Sequence, residues 1–171
     1  DHTSFKVSHY KNYPLAIENA LVAVVTETDS EAALVETEVP IAQLLATGRA
    51  YTDNLADTRE GLKRRLRRYR QSAGNIAVFG AGHLSCTFIN LMEIKDCIDL
   101  VVDDNPHKQT LYMPGSNLPI RRADSLVGEN IGLCLLIMSS ESESKVIAKN
   151  KDFVERGGTF VSVFPNRENS I

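Results

Sequence analysis

From Gly74 to the C-terminus, short and almost unbroken apolar runs return at regular intervals: Ile76–Gly80, Ile98–Val102, Ile131–Met138 and Thr159–Phe164. Each run is too short for a buried helix and too continuous for a strand with one wet face. Such runs fit strands buried on both sides, as in a parallel sheet covered by helices. The intervening segments supply the helices. Leu84–Met92 predicts one, and Arg122–Val127 predicts one or two turns. Ser139 or Ser140 caps another that runs to Glu155 and is closed by Arg156-Gly157-Gly158. Leu118-Pro119-Ile120 reads as a short edge strand. Strands alternating with helices at this spacing require right-handed crossovers. The fold class is therefore α/β: a Rossmann-like, doubly wound, mostly parallel sheet over residues 74–171.

Residues 1–73 are patterned more loosely and read as a strand plus a helical lead-in. Ala20-Leu21-Val22-Ala23-Val24-Val25 suits a strand. Ser30-Glu31 can start a helix through Leu34, Val35 and Leu44-Leu45, with Pro40 interrupting it and Gly48 ending it. Asp57 or Thr58 then leads a second helix, in which Leu55, Leu62, Leu66 and Tyr69 share one face, and Gln71–Gly74 ends it. With no initiator Met, the chain reads as a piece of a longer protein, and residues 1–73 as the linker from an upstream domain.

Composition narrows the partners. The 171 residues carry a net charge of -3, with 43% hydrophobic and 24% charged residues. This mild acidity gives no reason to expect nucleic acid, and no apolar run is long enough to span a bilayer. Cys86, Cys97 and Cys134 are odd in number and lack C-x-x-C spacing, which points to reduced thiols in a cytoplasmic protein rather than disulfides or zinc. Lys63, Arg64, Arg65, Arg67, Arg68 and Arg70 form a basic cluster that reads first as a solvated helix face.

The first strand opens into Gly80-Ala81-Gly82-His83-Leu84-Ser85. Gly80 permits a tight turn, Gly82 lets a ligand approach the backbone, and the next helix offers free N–H groups to an anion. The second strand ends in Asp103, about twenty residues after Gly80, where a dinucleotide fold places its ribose-binding acid. Ser85, however, stands where that fingerprint has a third Gly. A nucleotide-binding module and a purely structural turn both remain open on these residues. Asp103, Asp104 and His107 include no second ligand group, so no metal is expected. The D-D-N-P-H loop reads as ordered by Asp and Asn side-chain hydrogen bonds. Lys108 lies beyond the carboxyl end of a strand, the edge where such sheets bind ligands.

Three segments together, FGAGHLSCTFINL, VVDDNPHKQTLYMPGSNLPI and the Gly157-Gly158 to Phe164-Pro165 ending, resemble a known family. This is the C-terminal domain of S-adenosylmethionine-dependent C-methyltransferases that act on nucleotide-linked sugars. The family's D-x-N-P-x-K-Q…P-G pattern falls on Asp103, Asn105-Pro106, Lys108-Gln109 and Pro114-Gly115, and the likeness covers roughly residues 55 to 165. The resemblance implies an upstream methyltransferase domain that binds S-adenosylmethionine, with no cofactor in this segment. It also implies a nucleotide sugar as acceptor. On this reading Gly80, Ala81, Gly82, His83, Asp103, Asn105, His107, Lys108, Pro114 and Gly115 are the substrate-binding candidates. Three positions depart from the pattern: Leu84 replaces a Lys, Ser85 a Gly and Thr110 a Gly. Asp1-His2-Thr3-Ser4-Phe5 bears a fainter likeness to the E-H-x-S-Y-F motif of the family's central domain, and no catalytic residue is assigned from it.

Overall fold

Why the apolar runs become strands is visible in a computed structural model, which describes residues 5–14, 19–27, 40–165 and 170–171. The chain divides into two compact units, Asp1–Thr47 and Gly48–Ile171.

In the first unit, β1 (Phe5–Pro14) pairs antiparallel with β2 (Asn19–Glu27). The run Ala20–Val25 lies within β2. β1 was not legible in the sequence, because the register shifts between Val7 and His9. An extra residue there reverses which side chains share a face, so no clean alternation is left to read. Ser8 at the shift donates its hydroxyl hydrogen bond to the Val24 carbonyl at 3.1 Å. One face of the pair collects Val7, Tyr10, Leu21, Ala23 and Val25, all exposed.

The second helix expectation needs correction. Residues 41–73 form one continuous helix, α1 (Ile41–Ala73), and not two. Pro40 stands before its first turn and accepts a hydrogen bond from Leu44 N–H at 3.0 Å. Gly48 does not end it, since an isolated glycine costs a helix only about 1 kcal/mol and nothing forces the left-handed turn that a stop requires. Thr58 does not cap a new helix either. Its hydroxyl donates back to the Asn54 carbonyl at 2.8 Å, as a mid-helix threonine does. Leu62 and Leu66 are buried and Leu55 and Tyr69 half-buried on the predicted face. Gly74, at φ 104°, takes the left-handed conformation that ends the helix. The helix start expected at Ser30 lies outside the described residues.

The sheet is the one the apolar runs predict. Its strands are β3 (Asn75–Phe79), β4 (Leu100–Val102), β5 (Ile120–Arg121), β6 (Ile131–Leu136) and β7 (Thr159–Ser162). They lie in the order β5-β4-β3-β6-β7, all parallel. Counted within the sheet this is 3-2-1-4-5, the doubly wound order. The chain reverses direction of growth between β3 and β6. Both faces are covered. On one, Ile76, Val78, Val101, Leu133 and Leu135 pack with Leu62 and Leu66 of α1 and Ile89 of α2 (His83–Leu91). On the other, Ala77, Phe79, Val102, Cys134 and Leu136 pack with Leu126 of α3 (Ser125–Gly128) and Phe153 of α5 (Lys151–Glu155). The long helix expected up to Glu155 is broken. α4 (Ser140–Lys149) stops at Asn150, whose side chain donates to the Val146 carbonyl at 2.8 Å, and α5 restarts the run. Ser139 caps α4, its hydroxyl oxygen accepting Ser142 N–H at 3.3 Å.

All three cysteines are free; Cys97 and Cys134 are buried and Cys86 is partly exposed. Burial pushes the Cys97 thiol up and the Cys134 thiol well up. No helix among the described residues is long and apolar enough to cross a membrane.

Leu66 is fully buried between α1 and the sheet. Leu66→Ala should therefore lower unfolding free energy by about 3 kcal/mol in urea titrations. A loss under about 1 kcal/mol would mean that α1 contributes little to the sheet's core.

Candidate functional site

Doubly wound sheets bind ligands at their carboxyl edge, beside the strands where winding reverses. Here that point lies between β3 and β6. A cleft of about 260 Å³ opens there, lined by Gly80, Gly82, His83, Leu84, Ser85, Asp103, Lys108, Ile137, Met138 and Ser139. The sequence placed the turn and the β4 loop on this edge. It did not pick out Ile137 and Met138, whose only signal is that they end the third apolar run.

The two glycines of the turn differ in what holds them. Gly80 has φ 97°, and a Cβ there would touch Met138 Cε at 3.4 Å. It is required by the backbone. Its N–H donates to the Val102 carbonyl at 2.7 Å, which ties the turn to β4. Gly82, the residue before α2, has an ordinary extended backbone, and a Cβ there would meet nothing within 4 Å. The fold does not need Gly at this position; what a missing side chain leaves there is room. Ser85, in place of the third Gly, is 1% exposed and lies against the turn, so its small side chain is absorbed between helix and strand. Leu84 lines the cleft and also packs against the core. That accounts for an apolar residue where the family pattern has Lys.

Asp103 occupies the expected place at the end of β4, and the structure shows what its carboxylate does. Oδ2 accepts Ala81 N–H at 2.7 Å and Lys108 Nζ at 3.3 Å, while Oδ1 accepts Asn105 N–H at 2.8 Å. Lys108 Nζ also donates to the Ala81 carbonyl at 2.9 Å. Gln109 Nε2 donates to the Asp103 carbonyl at 3.0 Å. Acid and cation thus clasp the Gly-rich turn from the neighbouring loop. Burial, the largest single influence, opposes ionisation of Asp103. The hydrogen bonds from Asn105, Ala81 and Lys108 together outweigh it, and the carboxyl lies below its ordinary range.

The other candidates separate from the cleft. Asn105 and His107 are exposed, and Asn105 Oδ1 accepts His107 N–H at 3.0 Å. The D-D-N-P-H loop is thus ordered by Asp and Asn side chains. Pro114 and Gly115 pack on the far end of α2. The Pro114 carbonyl accepts Asn90 Nδ2 at 3.1 Å, and Gly115 has φ 76° directly over the Asn90 side chain. Asn90 follows His83 by two helical turns, about 10 Å along the axis. Thr110, where the pattern has Gly, adopts φ 73°, a conformation that penalises a β-branched residue. Asp1-His2-Thr3-Ser4 lies outside the described residues. A buried polar pair escaped the sequence reading: Ser162 Oγ donates to Glu143 Oε1 at 2.8 Å, joining β7 to the first turn of α4. No group of three or more His, Cys, Asp and Glu side chains gathers as a metal site among the described residues.

A family model described as the C-methyltransferase C-terminal domain matches residues 20–165. The chain belongs to this family. No curated protein matches it. Among solved structures, UDP-D-quinovosamine 4-dehydrogenase from Vibrio fischeri is similar at 19% identity and TM-score 0.41, over 52% of this chain and 75% of that one. RSP, a Rex-family repressor, is similar at 15% identity and TM-score 0.41, over 57% and 50%. RSP in complex with β-NAD+ and operator DNA is similar at 13% identity and TM-score 0.39, over 80% and 86%.

Two outcomes are expected of this C-methyltransferase C-terminal domain. Because Asp103 is depressed in the folded state, its contribution exists above the unfolded carboxylate value of about 3.9. It is lost as pH falls through the still lower folded value. Asp103→Asn should cost about 1–3 kcal/mol at neutral pH, with the gap to wild type closing as pH falls below the unfolded carboxylate value of about 3.9. A pH-independent gap in urea unfolding would overturn this. Thr110→Gly should raise stability by up to about 1 kcal/mol, as relief of the left-handed penalty exceeds glycine's added freedom in the unfolded chain. A lower melting temperature would contradict it.

Proposed function

We propose that this domain is the acceptor side of an S-adenosylmethionine-dependent C-methyltransferase. On this reading it contributes one wall of the cleft that receives a nucleotide-linked sugar, and an upstream domain of the same protein binds the methyl donor. Family membership over residues 20–165 is the observation that carries the reading. The cleft supports it in two ways. Gly82 leaves backbone open beside the first N–H groups of α2, a setting that favours an anionic group such as a phosphate. At about 260 Å³, the cleft is also smaller than the roughly 300–1,000 Å³ of most self-sufficient small-molecule sites, as befits a site that a second domain completes. Gly80, Ala81, Gly82, His83 and Lys108 are the residues proposed to face the acceptor. Asn105, His107, Pro114 and Gly115 shape the loops behind it.

The partner domain has surface to meet. Ile41, Leu44, Leu45 and Tyr51 of α1 are each more than half exposed. The apolar face of the β1–β2 pair is exposed as well, and an isolated two-stranded ribbon is marginal in water. We assign these surfaces to the upstream methyltransferase region, with residues 1–73 joining the two parts of a cytoplasmic enzyme. The dinucleotide reading is weaker, since the Asp103 carboxylate that a ribose would need already accepts three hydrogen bonds from its own chain.

Methyl transfer by the parent protein to nucleotide-linked sugars, with labelled S-adenosylmethionine, tests the activity; no transfer to any of them would sink the acceptor class. Gly82→Leu tests the cleft. A Cβ there meets nothing within 4 Å, and exchanging the glycine N-cap of α2 for leucine costs about 1 kcal/mol, so the melting temperature should fall by only about 2–4 °C. The acceptor KM should rise about tenfold with the donor KM unchanged. Equal effects on both substrates, or none, would remove the cleft from acceptor binding.

A further inference from the structure

The solvent-facing side of α1 carries an ordered charge pattern. Asp53, Asp57, Arg64 and Arg68 follow one another at intervals of four, seven and four residues, which puts them on a single stripe at 3.6 residues per turn. All four are exposed, and none has an ion-pair partner among the described residues. The stripe lies opposite Leu62 and Leu66, which bury the other side of the helix.

Neighbouring basic residues behave differently. Lys63 pairs with Glu60 and Glu93 at 3.2 Å each, and Arg70 pairs with Asp99. These cations hold α1 to its own domain. Arg64 and Arg68 do not. Within the helix, Asp53 and Asp57 are a like-charged pair four residues apart, and so are Arg64 and Arg68. Both spacings are unfavourable in an isolated helix. Between the two pairs sits Gly61, in the helix interior, where a Cβ would meet nothing within 4 Å. Neither helix propensity nor packing within the chain accounts for a glycine there.

One arrangement satisfies all of these features. We infer that two copies of this chain pair through α1 in antiparallel fashion, about a two-fold axis passing between Glu60 and Gly61. That axis sets Asp57 of one copy against Arg64 of the other and Asp53 against Arg68, each pair occurring twice by symmetry. The like charges of each helix then face opposite charges. Gly61, at the crossing, lets the two backbones approach closely. The partner is fixed by charge order along the helix: acid then base reads as its own complement only when reversed. An interface built mainly of exposed ion pairs is weak and salt-sensitive, so the association belongs to micromolar or higher concentrations.

Charge-swapped variants of the chain provide the test, read by sedimentation velocity over a concentration series. Wild type should self-associate at low salt, with the dissociation constant rising about tenfold or more between about 0.02 M and 0.5 M NaCl as screening shortens the reach of the pairs. The double variant Asp53→Arg/Asp57→Arg should be monomeric, and so should Arg64→Asp/Arg68→Asp. Mixed one to one, these two should form a heterodimer, because every pair is restored across the axis. Recovery on mixing excludes misfolding as the reason each fails alone. A wild type that stays monomeric at low salt, a variant that dimerises by itself, or a mixture that does not associate would each overturn the inference.

Discussion

The Asp103 carboxylate ties its own loop to the Gly-rich turn 22 residues earlier in the chain. It receives the N–H of Ala81 from the Gly-rich turn, the N–H of Asn105 from its own loop, and the ammonium of Lys108. Gly80 N–H adds a bond to the β4 carbonyl beside it. The shape of the carboxyl edge depends on this ionised group. Without it, two backbone donors and a lysine lose their acceptor in a setting where Asp103 is 8% exposed. The residue type is the one a dinucleotide fold uses to hold a ribose. Here the same acid, at the same strand end, is turned inward on the turn that it would otherwise face across a ligand.

That arrangement bears on what the cleft offers. Its lining combines polar groups of Lys108, His83, Asp103 and Ser139 with apolar Leu84, Ile137 and Met138. On the proposed function, this cleft would orient one end of an acceptor while another domain handles the reacting end. The residues at the start of α1 and on the β1–β2 pair leave apolar surface exposed. The charged stripe on the other side of α1 is a separate matter. It lacks apolar side chains and carries both signs in sequence order.

The sheet was legible because its signal is local. A strand buried on both faces needs a continuous apolar run, and Ile76–Phe79 and Ile131–Leu136 supply one without reference to anything else in the chain. Helix boundaries were less legible. Gly48 and Thr58 have intrinsic preferences for ending and starting helices, but burial of Leu62 and Leu66 outweighs the preference of Thr58, whose hydroxyl turns back to the Asn54 carbonyl instead of capping, and an isolated glycine costs a helix only about 1 kcal/mol. β1 stayed hidden because a register shift at Ser8 breaks the two-residue period on which strand reading relies.

For the candidate site, sequence alone placed the Gly-rich turn, the acid at the end of β4, and Lys108 on one edge of a parallel sheet. Strand–helix alternation leaves little freedom in that placement. Only the tertiary structure decided how those residues are used. Which oxygen of Asp103 meets which donor depends on two loops meeting in space, and the separation of Pro114 and Gly115 from the cleft depends on where a long connection packs along α2. The difference between Gly80 and Gly82 is of the same kind. Both are glycine in the sequence, but the first is required by a left-handed backbone. The second has an extended backbone, and a Cβ there would meet nothing within 4 Å.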